Sequence, residues 1–202
     1  MSVGIYAVKP AFQRLLQPVA RRLAAGGVGA DALTWAGLAF SSVAGAGFWL
    51  GRDGAVWLLA VPSAALLRTA ANALDGLVAV QAGSSHPRGE VFNEVSDRVG
   101  DTVIFLPVMA VAGVPDLLVA ASLSCALITS FLGNAAKAAG GSRIYAGVMG
   151  KPDRMFVLGL GALVAFVADD HAAVIEWSLW VVLVGSLATF LVRVRLVRKT
   201  LP

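Results

Sequence analysis

The sequence is poor in charge, in histidine and in cysteine. Asp, Glu, Lys and Arg make up 14% of its 202 residues, and it has two histidines and one cysteine. Soluble globular proteins have about 25% charged residues, so this chain is not a typical soluble domain. Cys125 has no second cysteine to pair with, which excludes an internal disulfide. His86 and His171 have no Cys or His close by, which argues against a zinc site.

Hydrophobic residues make up 58% of the chain. A helix needs about 20 predominantly apolar residues to cross a bilayer, and six apolar stretches alternate here with short polar loops. We predict them at 32–50, 55–80, 91–114, 117–138, 155–168 and 172–194. The fifth is short, so we expect it to extend into its flanks. Asp31 and Thr34, near the beginning of the first stretch, are residue types that cap helices, and this is the role we expect of them.

Residues 6–25 form a different kind of candidate helix, because basic residues lie among its apolar ones. The apolar residues recur at helical spacing, which is typical of an amphipathic helix in the membrane interface. The segment has no uninterrupted apolar core and so does not resemble a cleavable signal peptide. The predicted fold is therefore all-α: an N-terminal cytoplasmic interfacial helix within residues 1–27, then an integral membrane bundle of six transmembrane helices over 28–202.

The net charge of +4 has two interpretations. In a soluble protein it would raise nucleic acid as a partner, whereas in a membrane protein Lys and Arg accumulate on the cytoplasmic side. Most cations here lie near the two termini and in the loops after the second and fourth stretches, and the opposite loops have almost none. We therefore expect a multi-pass protein of the inner membrane with both termini in the cytoplasm, whose partner is the lipid bilayer and not nucleic acid.

A cluster of polar side chains lies where the second stretch ends and the third begins. A charged residue within a span costs roughly 3 kcal/mol on insertion scales, so such a cluster indicates pairing or function. Two helices joined by a short loop are antiparallel neighbours, and their polar faces can converge near the cytoplasmic surface. The residues concerned are Asn72, Asp75, Glu90, Asn93, Glu94, Asp97 and Asp101.

This cluster is typical of a divalent cation site. Carboxylates forced together repel each other unless a cation lies between them. Oxygen ligands without His or thiolate suit Mg²⁺ or Mn²⁺, which bridge carboxylates to substrate phosphates. The alternative is that the acids pair with Arg68, Arg88 or Arg98, or line a path for protons or cations. The candidate metal ligands are Asn72, Asp75, Asn93, Asp97 and Asp101.

Residues 72–101, NALDGLVAVQAGSSHPRGEVFNEVSDRVGD, resemble the signature of the CDP-alcohol phosphotransferases. That signature is DxxDGxxAR, eight residues, then GxxxDxxxD, and the spacing fits throughout. Asn72, Val80 and Asn93 replace an Asp, the Arg and another Asp. The chain therefore resembles a variant subgroup with Asn at two of the four acidic positions. The five identical positions are Asp75, Gly76, Ala79, Gly89 and Asp97.

The resemblance implies a metal-dependent membrane enzyme of phospholipid synthesis. Such an enzyme transfers a phosphatidyl group from a CDP-linked lipid, usually CDP-diacylglycerol, to a polar alcohol and releases CMP. It implies that Asp97 is the catalytic base and a metal ligand, and that Asp75 is a metal ligand. It also implies that Asp75, Gly76, Ala79 and Gly89 surround the CDP group. Family members often form homodimers, so a homodimer is a further expectation.

The two asparagines reduce the formal charge of the four acidic positions from about four negatives to two. An Asn carbonyl oxygen can still bind a hard cation. Glu94, beside Asn93, and Asp101, one helical turn beyond Asp97, could restore the missing charge. Two alternatives stay open: a catalytically impaired relative that binds lipid or acts as a scaffold, and a small proton- or cation-coupled transporter.

The loop GGSRIYAGVMGKPDRM contains three cations, Arg143, Lys151 and Arg154. It resembles the basic stretch that binds the acceptor phosphate in family members whose alcohol is phosphorylated, and both Arg and Lys suit that anion. For any one of them, a role in membrane orientation alone is an equal alternative. The loop slightly favours a phosphorylated acceptor such as glycerol 3-phosphate or inositol phosphate.

Overall fold

The computed structural model describes residues 9–84 and 86–200, and for residues 9 and 10 the backbone alone. Within these ranges the chain is all-helical and has no β-strand, which confirms the predicted class. Two short 3-10 helices, Ala55–Leu59 and Leu106–Ala110, precede the third helix and follow the fourth. The seven α-helices are α1 (Lys9–Ala25), α2 (Ala30–Gly51), α3 (Ala60–Gln81), α4 (Pro87–Phe105), α5 (Asp116–Ala138), α6 (Lys151–Val167) and α7 (His171–Thr200).

Each predicted apolar stretch corresponds to one α-helix, with a 3-10 helix added for the second and third. The fifth extends to Lys151, as expected. The third begins earlier than predicted, at Pro87, because the His86 side chain caps the helix and proline suits its first turn. In the part of the chain that the structure describes, four segments are long and apolar enough to cross a membrane: 30–51, 55–81, 116–138 and 171–200.

The prediction that Asp31 and Thr34 cap the first span is wrong. Gly29 is the N-cap of α2, so both residues lie inside the helix. Asp31 is in the first turn, where a negative charge interacts favourably with the helix dipole. Thr34 is buried and faces the polar site.

Helix α1 packs against α3. Its buried Ala20 joins Leu33 of α2 and Leu74 and Val78 of α3 in a small apolar cluster. Residues 6–8 of the predicted N-terminal helix lie outside the described residues. The cluster fixes one face of α1 beside the end of α3 from which the polar site is built.

The main core fills the opposite half of the bundle. Phe48, Leu58, Phe105, Leu158 and Leu179 lie there, from five different segments, and all are almost fully buried. This half contains the end of α2, the beginning of α3 and the end of α4, so its side chains are apolar at the positions where the helices converge. The polar site therefore occupies the other half of the same bundle.

Small and hydroxylic residues bring the helices close together. A Cβ on Gly45 of α2 would lie 2.2 Å from the carbonyl oxygen of Val103 in α4, so only glycine fits this crossing. In the α5–α7 pair, Ser122 donates a hydrogen bond to the carbonyl of Leu179 (3.2 Å). Such close backbone contacts are typical of helices that associate in lipid, and the approach of α2 to α4 positions the site next described.

Candidate active site

Two Asn–Asp pairs join α3 to α4. The Asn72 side chain donates a hydrogen bond to Oδ1 of Asp97 at 3.2 Å, and the Asn93 side chain donates one to Oδ2 of Asp75. Each pair takes one residue from each helix: α3 and α4 both pack on α2, and their side chains reach each other beside it. We call these four residues the Asn–Asp quartet. The structure therefore brings together the four residues that stand at the acidic positions of the CDP-alcohol phosphotransferase signature.

Helix α2 supports the quartet from behind. The Thr34 hydroxyl donates to Oδ2 of Asp75 (3.4 Å), and the backbone N–H of Gly76 donates to Oδ1. Gly37 leaves room for Asn72, since a Cβ at position 37 would lie 2.7 Å from the Asn72 amide oxygen. Asp75 is buried, and all of its hydrogen-bond partners here are neutral. The role of Thr34 is not evident from the sequence, because a threonine near a helix start is also a common cap.

Asp97 is in contact with two cations. The Lys151 ammonium donates to Oδ1 of Asp97, and a guanidinium nitrogen of Arg98 lies 3.7 Å from Oδ2. Lys151 is the first residue of α6, and it lines the cavity beside the quartet. The two aspartates therefore differ: the groups that donate hydrogen bonds to Asp75 are neutral, and cations contact Asp97.

Asp101 lies apart from the quartet, between two arginines. Its carboxylate accepts from Nη2 of Arg68 at 2.7 Å and from Nη2 of Arg154 at 3.1 Å. All three side chains are at most 1% exposed, and we call them the Arg–Asp–Arg triad. The sequence analysis expected Asp101 to supply charge to the metal ligands, whereas here its carboxylate hydrogen-bonds these two guanidinium groups. One turn deeper in the bundle, this carboxylate instead neutralises guanidinium groups that would be costly to bury alone.

Glu94 also has a different partner from the one expected. Its carboxylate pairs with Arg143, accepts from the Asn134 amide (2.6 Å) and lies 3.6 Å from Arg98. The side chain therefore faces the cations of α4 and of the loop before α6, and the expected charge compensation at Asn93 is not what this geometry provides. Arg143 in turn lies over the ring of Tyr145, 4.8 Å from its centroid.

A cavity of about 620 Å³ opens beside the quartet and changes in character along its length. Five cations and two carboxylates line its polar end. The other end is an apolar groove between α3 and α6, where Gly159 lets the helices approach: a Cβ there would lie 3.2 Å from Cα of Pro62. The polar lining includes Asn72, Asn93, Glu94, Asp97, Arg98, Arg143, Lys151, Arg154 and Arg193, and the apolar lining includes Pro62, Leu66, Phe156, Leu160 and Leu163.

The predicted acceptor residues Arg143, Lys151 and Arg154 all line this polar end. Arg193 of α7 joins them, although from the sequence it is only one of the cations near the C-terminus that indicate membrane orientation. Its guanidinium donates to the carbonyls of Thr129 (2.7 Å) and Ala146 (3.0 Å), which ties the loop before α6 to α5 and α7. A signal was present: Arg193 is the first cation after the long apolar run of α7.

The predicted CDP-binding glycines lie outside this cavity. A Cβ on Gly76 would meet no atom within 4 Å, so the surface beside Asp75 is open. Gly89 is in the first turn of α4, where its N–H donates to Nδ1 of His86 (2.8 Å). Ala79, one turn beyond Asp75, is partly exposed near the end of α3. The open surface at Gly76 is thus on the Asp75 side of the quartet.

The quartet offers two carboxylates and two amide groups as donors. Across residues 9–84 and 86–200, no three His, Cys, Asp or Glu side chains come together as a metal-binding group. Carboxylate and amide oxygens are nevertheless the ligand types that Mg²⁺ and Mn²⁺ accept. The donor chemistry therefore fits a divalent cation, held by fewer charged ligands than a carboxylate cluster would supply.

Comparison with known proteins identifies relatives over nearly the whole chain, although no protein-family model matches it. The chain is 34% identical over 187 residues to inner membrane protein YnbA of Escherichia coli, covering 93% of this chain and 90% of that protein. It is 33% identical over 202 residues to the phosphatidylinositol phosphate synthase of Mycolicibacterium smegmatis, covering 95% and 87%.

Crystal structures of the Mycobacterium tuberculosis phosphatidylinositol phosphate synthase share the fold. The structure with CDP-DAG bound has a TM-score of 0.75 at 24% identity, covering 93% of this chain and 95% of that one. The structure in complex with manganese and citrate also has a TM-score of 0.75, covering 91% and 89%.

Fold, site and relatives together define a class, that of multi-pass membrane phosphotransferases. The chain belongs to the CDP-alcohol phosphotransferase family, which includes the phosphatidylinositol phosphate synthases. The family resemblance of residues 72–101 is thereby confirmed. As a member, the protein is a metal-dependent transferase of phospholipid synthesis that moves a substituted phosphate group from a CDP-linked lipid to an alcohol and releases CMP.

Proposed function

We propose that this protein transfers the phosphatidyl group of CDP-diacylglycerol to a phosphorylated polar alcohol, of which inositol phosphate is the first candidate. The observation that carries the proposal is a cavity lined by Asn72, Asn93 and Asp97 of the quartet, by a cluster of cations and by an apolar groove. The names of the mycobacterial relatives support an inositol phosphate acceptor.

The quartet would hold a divalent cation, Mg²⁺ or Mn²⁺. Asp75 and Asp97 would bind it through carboxylate oxygens, and Asn72 and Asn93 through amide oxygens. When bound, such an ion neutralises charge on the phosphoryl oxygens and stabilises the departing CMP. Thr34 and the N–H of Gly76 hold the Asp75 carboxylate in place. Gly76, with Ala79 and Gly89, would leave space for the CDP group on the open side of Asp75.

Asp97 is the group we assign as general base. It lines the cavity and is partly exposed, whereas Asp75 is buried. A base within hydrogen-bond reach of the acceptor hydroxyl takes its proton as the oxygen attacks phosphorus. The amide of Asn72 and the ammonium of Lys151 fix the orientation of the Asp97 carboxylate before the acceptor arrives.

The cations favour an acceptor that carries a phosphate. Arg143, Lys151, Arg154 and Arg193 surround one end of the cavity. The Nε atom of Arg154 is buried and has no hydrogen-bond partner among the described residues. Since buried donors are nearly always satisfied, an oxygen of a bound phosphate is a suitable partner for it. Arg forks recognise phosphate with defined geometry.

The apolar groove suits an acyl chain of the lipid substrate. Leu66 of α3 and Phe156, Leu160 and Leu163 of α6 line it, and all four are at least 45% exposed. In a bilayer these side chains face hydrocarbon, so a lipid tail can enter the groove sideways while its head group reaches the quartet.

The proposed membrane arrangement has six spans, α2 to α7, with α1 in the cytoplasmic interface. Four segments meet the length and hydropathy of a span. The polar stripe of α4 faces neighbouring helices and not lipid, and α6, with 17 residues, is about 25 Å long. Both termini, the quartet and the cation-rich loop would then lie on the cytoplasmic side. A homodimer is proposed from the family resemblance alone, and size measurement in detergent tests it.

To test the proposed reaction, purified protein is incubated with CDP-diacylglycerol, with Mg²⁺ or Mn²⁺, and with a pool of alcohols. The pool includes inositol phosphate, glycerol 3-phosphate and their unphosphorylated forms. We expect CMP release and one new lipid whose mass contains the phosphorylated acceptor. A product from an unphosphorylated alcohol alone would contradict the acceptor assignment. Failure to release CMP with every alcohol would favour a lipid-binding or scaffold protein, and ion transport in sealed vesicles would favour a transporter.

A further inference from the structure

The two halves of the quartet differ in their electrostatic surroundings. Among the described residues, the groups that donate hydrogen bonds to Asp75 are all neutral: Thr34, the Gly76 N–H and Asn93. Asp97 has a cation at each oxygen, with Lys151 at Oδ1 and Arg98 at 3.7 Å from Oδ2. A positive charge that belongs to the protein therefore already occupies the Asp97 side.

Charge limits how many divalent ions the quartet can hold. The two asparagines are neutral, so the ligands supply two negative charges, and the Lys151 ammonium beside them offsets one. Two divalent ions about 4 Å apart repel strongly unless carboxylates lie between and around them, because the interaction scales with the product of the charges. The nearest further carboxylates, Asp101 and Glu94, are engaged by arginines.

We propose that this site binds a single divalent cation, on the Asp75 side, and that the Lys151 ammonium provides the second positive charge on the Asp97 side. This inference rests on the proposed function, since the charge acts on the diphosphate of the CDP-lipid. An ammonium group carries three N–H donors and a compact charge, so it can bind a phosphoryl oxygen where a second ion would otherwise do so.

The position of Lys151 suits this role. It is the first residue of α6, held by a turn in which the Asp153 carboxylate accepts from the N–H of Gly150 (2.9 Å). Its side chain is 18% exposed and lines the cavity, where it contacts Asp97 of the quartet and lies among the cations proposed for the acceptor. The start of α6 therefore holds the Lys151 ammonium in place, unlike the ammonium of a freely moving lysine on the surface.

The test is to count Mn²⁺ ions bound per chain of the purified full-length protein, from free Mn²⁺ measured by electron paramagnetic resonance. The wild-type protein should bind one ion at saturation. Lys151→Met should bind that ion at least tenfold more tightly, because a like charge has been removed nearby, yet it should lose CMP release. Asn72→Asp/Asn93→Asp/Lys151→Met should bind two ions.

The matched control is Lys137→Met. Lys137 is half exposed, pairs with Glu90 and does not line the cavity, so its removal should leave ion affinity and CMP release unchanged. Two ions per wild-type chain, or Lys151→Met with the ion affinity of Lys137→Met, would overturn the inference. If the triple variant fails to fold, the number of Mn²⁺ ions bound per wild-type chain and the Mn²⁺ affinity of Lys151→Met still decide whether the site holds one ion.

The same preparations separate this inference from the proposed function. Two bound ions together with CMP release would overturn the single-ion site and leave the transferase assignment intact. No bound ion and no CMP release would overturn both. One bound ion with CMP release, lost in Lys151→Met, supports both.

Discussion

Single residues give the candidate site its two distinct halves. Asn72 and Asn93 each donate to an aspartate on the other of the two helices α3 and α4, so each amide leaves a ligand position neutral and orients the carboxylate opposite. Because Asp75 is buried among neutral donors while Asp97 faces the cavity beside Lys151, the two acids are suited to different tasks. In the proposed mechanism the buried one serves as a cation ligand alone, and the accessible one would also accept a proton.

Replacement of these acids tests that division. Asp97→Asn should lower the rate of CMP release by about 10²–10⁴-fold, the usual contribution of a general base, and Asp75→Asn should abolish both release and Mn²⁺ binding. Radiolabelled CDP-diacylglycerol gives the rate and equilibrium dialysis gives the binding. Asp53→Asn is the control, since Asp53 is exposed and pairs with Arg52 in the loop between α2 and α3. Near-normal turnover in Asp97→Asn would contradict its role as base.

Substitution of Gly37 should weaken Mn²⁺ binding as substitution of a metal ligand does, although Gly37 is not itself a ligand. Gly37→Ala would place a methyl group 2.7 Å from the amide oxygen of Asn72, which must then move from Asp97. Overpacking of this kind costs about 1–3 kcal/mol, so we expect lower thermal stability in detergent and weaker Mn²⁺ binding. Gly54→Ala meets open space and should change neither. Unaltered Mn²⁺ affinity in Gly37→Ala would show that the position of Asn72 does not matter for the ion.

Helix α4 shows how one face of an element can serve two functions. Asn93, Asp97 and Asp101 are spaced by four residues and share a face, which the sequence predicts correctly. The spacing does not determine how deep each residue lies or which helix it meets. Asp101 contacts Arg68 and Arg154, which are 33 and 53 residues away in sequence. No local pattern contains that information, and the prediction for Asp101 differed from the structure for this reason.

Asp101 should therefore act on stability and not on metal affinity. Asp101→Asn leaves two buried guanidinium groups without their carboxylate, and breaking a buried ion pair costs about 3–5 kcal/mol. We expect a markedly lower melting temperature in detergent, while the protein that remains folded binds Mn²⁺ with wild-type affinity.

Arg52 and Asp53 form an exposed pair that provides the comparison for Asp101, because exposed pairs contribute at most about 1 kcal/mol. Asp53→Asn should accordingly melt close to the wild-type temperature. Weaker Mn²⁺ binding at unchanged stability in Asp101→Asn would restore the original expectation that Asp101 supplies charge to the ion.

On the scale of the whole molecule, the bundle separates an apolar core from a polar cavity. The helices and most of their bounds follow from the sequence, because long apolar runs separated by polar loops can be seen in it directly. The cavity does not, because it depends on Arg143, Arg154 and Arg193 approaching the quartet from three different segments. The loop before α6 is tied down by hydrogen bonds from Arg193 to Ala146 and Thr129, contacts that only the folded chain brings together.

The six-span arrangement makes a sharp prediction about the loops. Single cysteines are introduced at exposed positions in a Cys125→Ser background and labelled with a membrane-impermeant maleimide in intact cells and in inverted membrane vesicles. Ser84→Cys and Ser142→Cys should react only in inverted vesicles, and Asp116→Cys and Asp169→Cys only in intact cells. With four spans, α4 and α6 would not cross, and Asp116 would lie on the same side as Ser84. Labelling of Asp116→Cys only in inverted vesicles would therefore contradict six spans, although the distribution of Lys and Arg among the loops favours them.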